Sequence, residues 1–139
     1  MAVTGAIRET PFKITISTVE DKMVYDVKEF DVETGKPVLL TFKNKDFPPH
    51  NLLVVKPGKA DEVANLAIAL GNDGFGKQWR PDTPLILWGS TMIDYDEETV
   101  ISFIAPPPGD YPYVCTFPGH AMMMRGVMKV LPKGADKKK

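Results

Sequence analysis

The chain has one cysteine, Cys115, and two histidines, His50 and His120. In the stretch Cys115-Thr116-Phe117-Pro118-Gly119-His120-Ala121-Met122-Met123-Met124-Arg125-Gly126 a thiolate, an imidazole and a thioether share one short loop. These are two strong, fairly soft donors and one weak one. A second imidazole completes a trigonal His₂Cys set with a long axial methionine, a set that suits copper as both Cu(I) and Cu(II). By elimination that imidazole is His50, in Phe47-Pro48-Pro49-His50-Asn51-Leu52. Taken singly, such a Cys, His or Met is usually packing. Here the whole Cys and His inventory converges on one pattern, so the fold must bring two distant segments to one point.

The rest of the chain is written in short β segments. Lys13–Ser17 and Met23–Val27 are rich in β-branched or aromatic residues and alternate or nearly so, which predicts half-buried strands. Asp31–Pro37 reads as a turn, Val38–Lys43 as a strand, and Leu52–Val55 as another. The two prolines before His50 fix φ and restrict their predecessors, so the imidazole is expected to be held with or without metal. After Pro57-Gly58 the rhythm changes: Val63, Leu66, Ala67 and Leu70 recur at helical spacing, Asp61 and Glu62 favour the N-terminus, and Gly71-Asn72 stops the run. Leu85–Trp88 and Thr91–Asp94 read as short strands, and Thr99–Ala105, Tyr111–Cys115 and Gly126–Leu131 as further β segments. About eight strands with one helical excursion predict an all-β Greek-key sandwich with a short helix in a flap. The domain is expected over 1–131, the flap over about 58–90, and a basic, disordered tail over 132–139. In such a sandwich three ligands come from one loop and the fourth, His50, is expected from across it.

The Cys-Thr-Phe-Pro-Gly-His-x-x-x-Met-x-Gly loop resembles that of azurins, and Pro-His-Asn resembles the corresponding stretch of plastocyanins. Both are blue copper proteins, or cupredoxins. The similarity to azurins extends over most of residues 10 to 131, the helical insert included. It implies one copper ion held by His50, Cys115, His120 and, by the azurin spacing, Met124 among three consecutive methionines. It also implies that Asn51 ties the two ligand segments together and that backbone N–H groups of Asn51 and Phe117 point at the cysteine sulfur, with Thr116 beside them. Pro118 removes an N–H that could make a further bond. Tyr111 is expected to pin its corner through its hydroxyl. His120 is expected to present its ring edge within an apolar rim of Pro48, Phe117, Pro118, Ala121, Met122 and Met123.

Two departures from azurins stand out. A lone cysteine cannot make their N-terminal disulfide. Pro49 replaces the glycine whose carbonyl approaches copper there, so any contact from the Pro49 oxygen is expected to be weak and the site four-coordinate, as in plastocyanins.

Composition sets the remaining limits. Apolar residues make up 43% and charged residues 25%, as in an ordinary globular domain, and no apolar run approaches the ~20 residues of a membrane span. Removing Lys133, Asp136, Lys137, Lys138 and Lys139 from the 17 basic and 18 acidic residues leaves 13 against 17, a net −4, which argues against nucleic acid as a partner. No signal peptide is visible, which fits a cytoplasmic protein or an exported one in mature form. The resemblance implies periplasmic or otherwise extracytoplasmic work.

The expected function is that of a small soluble electron carrier cycling Cu(II)/Cu(I) between larger redox proteins such as cytochromes or copper and haem oxidoreductases. A saturated ligand set leaves no open position for substrate, so no enzyme is expected. The alternatives are a type 1 copper domain from a larger multicopper or haem-containing enzyme, and a copper storage or delivery protein.

Overall fold

A computed structural model describes residues 10–134. Most of the basic tail, from residue 135 onward, lies outside the described residues.

Among the described residues eight strands form two sheets: β1 (Phe12–Ser17), β2 (Glu29–Glu33), β3 (Pro37–Lys43), β4 (Leu53–Val55), β5 (Ile86–Gly89), β6 (Glu98–Ile104), β7 (Gly109–Val114) and β8 (Arg125–Leu131). One sheet has the order β1-β3-β6, the other β2-β8-β7-β4-β5. In β3, Val38, Leu40 and Phe42 point inward and alternate with half-exposed neighbours; in β8, Met128 and Val130 do the same. These period-two stripes meet Ile101 and Phe103 of β6 and Tyr113 of β7 in one core. Each such fully buried apolar side chain contributes about 1.5–3 kcal/mol.

The helix α1 (Ala60–Ile68) packs Ala60 and Val63 against Leu53, Val55 and Val114, which covers β4 and β7 from outside. Strand β4 is therefore buried on both faces, and this explains why Leu52–Val55 is an unbroken apolar run. The buried stripe is Ala60, Val63, Ala64 and Ala67; Leu66, expected on it, is 38% exposed. The small alanines let the helix lie close to the sheet.

Three expected elements differ. Met23–Val27 is no strand: Asp21 and Met23 have left-handed φ of 64° and 56°, and the Asp26 carboxylate accepts the Ser17 N–H at 2.9 Å, so only the isolated Thr18–Tyr25 bridge forms. Part of the expected turn at Asp31–Pro37 is strand β2, where Phe30 and Val32 face inward and the register runs parallel to β8. Thr91–Asp94 shrinks to one bridge, between Ile93 and His50.

Candidate metal centre

His50 lies on the segment that carries the chain from β3 in one sheet to β4 in the other. Because Leu53 of β4 pairs directly with Val114 of β7, His50 reaches the cysteine from the crossover that leads into a neighbouring strand, and not from the opposite sheet as expected. Its backbone exchanges hydrogen bonds with Ile93, at 3.1 and 2.9 Å. The Asn44 side chain reinforces the segment by donating to Pro48 O and Ile93 O, each at 2.9 Å.

Cys115 follows the last residue of β7. Its N–H donates to Met124 O at 3.1 Å, which closes the loop at the start of β8. Inside it the His120 N–H donates to Phe117 O and the Met124 N–H to His120 O, both at 2.9 Å. Gly119 turns the chain at φ 86°, in the region that favours glycine.

These two frames aim three donors at one point. Cys115 Sγ lies 3.7 Å from His50 Nδ1 and 3.6 Å from His120 Nδ1, and all three ligand atoms lie within 4.8 Å of one another. A first-row ion bound at ~2.3 Å from sulfur and ~2.0 Å from nitrogen at trigonal to tetrahedral angles needs S···N separations of roughly 3.5–3.8 Å. The donor set fits such an ion, and its thiolate and imidazoles suit copper.

His50, Cys115 and Met124 are fully buried and His120 is 7% exposed. Burial pushes the Cys115 thiol up to about 11, against the pull of the Asn51 and Phe117 backbone N–H groups on its sulfur. Burial also lowers His120, to about 4, with help from His50, and lowers His50 despite the Asp46 carboxylate beside it. Without metal, the centre at neutral pH is a thiol between two uncharged imidazoles.

The methionines separate by exposure: Met124 is 0% exposed, Met122 86% and Met123 60%. Pro48 and Pro118 are exposed, while Phe117 and Ala121 are half-buried, with Phe117 4.9 Å from the His120 ring. The expected Asn51 tie is present, since Asn51 Nδ2 donates to Thr116 Oγ1 and Asn51 Oδ1 accepts the Thr116 N–H, both at 2.9 Å. Tyr111 Oη donates to Pro107 O at 2.7 Å, pinning its corner.

Sequence reasoning passed over three residues here. Phe47 and Phe75 are 85% and 71% exposed, and the Phe75 ring lies 6.4 Å from that of Phe117. The Asp46 carboxylate, buried, meets His50 Nε2 at 3.0 Å. Its signal was an acid four residues before the histidine, separated from it only by Phe47, Pro48 and Pro49.

Residues 12–131 match the model of the copper binding proteins of the plastocyanin/azurin family. The chain belongs to the plastocyanin/azurin family. Among its curated relatives in the family, auracyanin-A of Chloroflexus aurantiacus is 34% identical over 122 residues, 86% of this chain and 75% of that protein. The outer membrane protein H.8 of Neisseria gonorrhoeae is 28% identical over 120 residues, 79% of this chain; the match spans 64% of that protein. Of the solved structures, the dithionite-reduced auracyanin of Roseiflexus castenholzii is 34% identical with a TM-score of 0.78, covering 88% of this chain and 99% of its own. Auracyanin A, described as a "blue" copper protein, superposes with a TM-score of 0.79 at 30% identity, over 88% of this chain and 100% of its own. Membership of the plastocyanin/azurin family, together with the His50, Cys115 and His120 cluster, makes this a small blue copper electron-transfer protein with one copper ion.

Proposed function

We propose that His50, Cys115, His120 and Met124 hold the copper and that the protein shuttles single electrons between larger redox proteins. The observation that carries this is the placing of Cys115 Sγ 3.7 and 3.6 Å from two Nδ1 atoms. Copper supplies the one-electron couple. The protein's part is to hold the donors in one arrangement for both oxidation states, so that little reorganises on transfer. The bonds from Asn51 to Thr116 and from Cys115 N–H to Met124 O serve that end.

Partners dock transiently over the His120 edge, where Pro48, Pro118, Met122 and Met123 are exposed and Phe117 and Ala121 half-buried. Cytochromes or copper and haem oxidoreductases fit that role, since a small apolar patch favours short-lived contacts. The reading excludes an enzyme because four donors leave no position for substrate. A periplasmic or other extracytoplasmic location is in keeping with the outer-membrane name of the H.8 relative. The domain ends at residue 131, which the family match over 12–131 supports, with a flap over about 58–90 and 132–139 a basic tail. Copper delivery is disfavoured, because the thiol it would have to offer is fully buried.

The deciding experiment is the visible and EPR spectrum after one equivalent of Cu(II), beside Cys115→Ala. An intense thiolate-to-copper absorption with narrow hyperfine splitting, lost in the variant, is expected. Weak absorption with ordinary Cu(II) splitting would overturn the reading.

A further inference from the structure

We propose that Asp46 is the positioning residue of the centre: its carboxylate orients His50 through Nε2 and favours the oxidised over the reduced ion. The inference rests on the ligand reading above.

The geometry begins with the imidazole. His50 turns Nδ1 toward Cys115 Sγ at 3.7 Å and Nε2 toward Asp46 Oδ2 at 3.0 Å. A carboxylate only accepts, so the ring proton sits on Nε2 and the Nδ1 lone pair faces the site. The tautomer needed for ligation is therefore set by Asp46.

The position also calls for a carboxylate. Oδ1 accepts the Asp21 N–H at 3.1 Å and the Phe47 N–H at 3.0 Å, while Oδ2 takes His50. With Nδ1 given to the metal, Nε2 carries the ring proton and donors approach both oxygens, so an amide would turn its NH₂ toward one of them, and a protonated acid would do the same with its O–H. Only the ionised acid then satisfies every donor. Its backbone is fixed as well, because the Asp46 N–H donates to Asn44 Oδ1 at 2.9 Å and that oxygen also accepts the Thr18 hydroxyl at 3.1 Å.

Asp46 and His50 are 4% and 0% exposed, so water screens their interaction little. A full negative charge behind the ring raises the basicity of Nδ1 and stabilises the higher charge on the bound ion. His120 differs: among the described residues no carboxylate meets its ring. The two histidines thus divide the work, one anchored by an internal charge and one at the docking edge.

The test is the midpoint potential of the copper-loaded protein with Asp46→Asn and Asp46→Glu. In Asp46→Asn the Cu(I)-to-Cu(II) ratio at a given applied potential is expected to rise at least tenfold, equivalent to 59 mV for one electron. Asp46→Glu, which keeps the charge, is expected to recover most of that change. A ratio within twofold of wild type in Asp46→Asn, or an equal change in Asp46→Glu, would reduce Asp46 to a structural role.

Wild-type protein supplies a readout that needs no variant to fold. In ¹⁵N-edited spectra of the reduced protein the His50 Nε2 should carry a slowly exchanging proton, resonating well downfield of ordinary imidazole N–H. An unprotonated Nε2, or a proton at the ordinary position, would overturn the proposal. A wild-type protein without the intense absorption would instead overturn the copper reading itself.

Discussion

Asn51 and Thr116, 65 residues apart, hold each other by two hydrogen bonds of 2.9 Å, one in each direction. Asn51 is the neighbour of His50 and Thr116 the neighbour of Cys115, so the pair sets the distance between the two halves of the copper site. The Thr116 hydroxyl in turn donates to Trp79 O, which fastens the flap to the same point.

Asn51→Ala should therefore loosen the site and weaken the fold together. It removes both bonds and leaves the buried Thr116 N–H without its acceptor, at a cost of about 3 kcal/mol. Urea unfolding of the metal-free protein measures this directly. A change below 1 kcal/mol would mean that the pair is incidental to the fold.

The three methionines should behave differently under the same substitution. Met124→Ala, at a fully buried position, is expected to lower stability by about 2–5 kcal/mol and to alter the visible spectrum of the copper protein. Met122→Ala and Met123→Ala, on exposed side chains, should leave both within error. An unchanged spectrum in Met124→Leu, which preserves most of the volume, would remove Met124 from the ligand set.

Acid should destabilise the metal-free protein through its histidines. Folding lowers His120 to about 4, so the unfolded chain binds protons more readily than the folded one. That contribution is complete above the unfolded value near 6.5 and is lost as pH falls from there toward 4, on the order of 3 kcal/mol at the end. His50, also lowered, acts in the same direction. Denaturant midpoints between pH 7 and 4 give the slope, and His120→Gln should flatten it.

Charge on the rim should slow electron exchange without altering the metal. Met122→Lys and Phe47→Lys replace side chains that are 86% and 85% exposed. The electron self-exchange rate should fall at least tenfold while the visible spectrum stays the same. An unchanged rate would place the docking surface elsewhere.

Pro49 bears on coordination number. If its carbonyl stays remote from copper, X-ray absorption on the loaded protein should fit two nitrogens, one short sulfur and one long sulfur, without an added oxygen at the distance of the long sulfur.

The His50, Cys115 and His120 donors were legible because the chain holds one cysteine and two histidines, and most of the strands because alternation is a local pattern. Val38–Lys43 alternates at period two, and the cysteine loop carries its donors within ten residues of sequence. Glu29–Glu33 was read partly as turn because its inward residues are only Phe30 and Val32, and its partner is a parallel strand far away at the end of the chain. Leu66 was misplaced on the helix because small alanines, which carry little hydrophobic signal, form the actual contact face.

By itself the sequence determined which thiol and imidazoles could bind the metal, since it holds one cysteine and two histidines, and it determined that the chain would be a β sandwich with one helical flap. Tertiary structure decided how those atoms meet: that β4 lies beside β7, that Met124 is buried while its two neighbours face solvent, and that the Asp46 carboxylate stands behind His50. The physical reason is that donor chemistry belongs to each residue. Burial, strand order and the partner of a ring N–H depend on what the rest of the chain places around it.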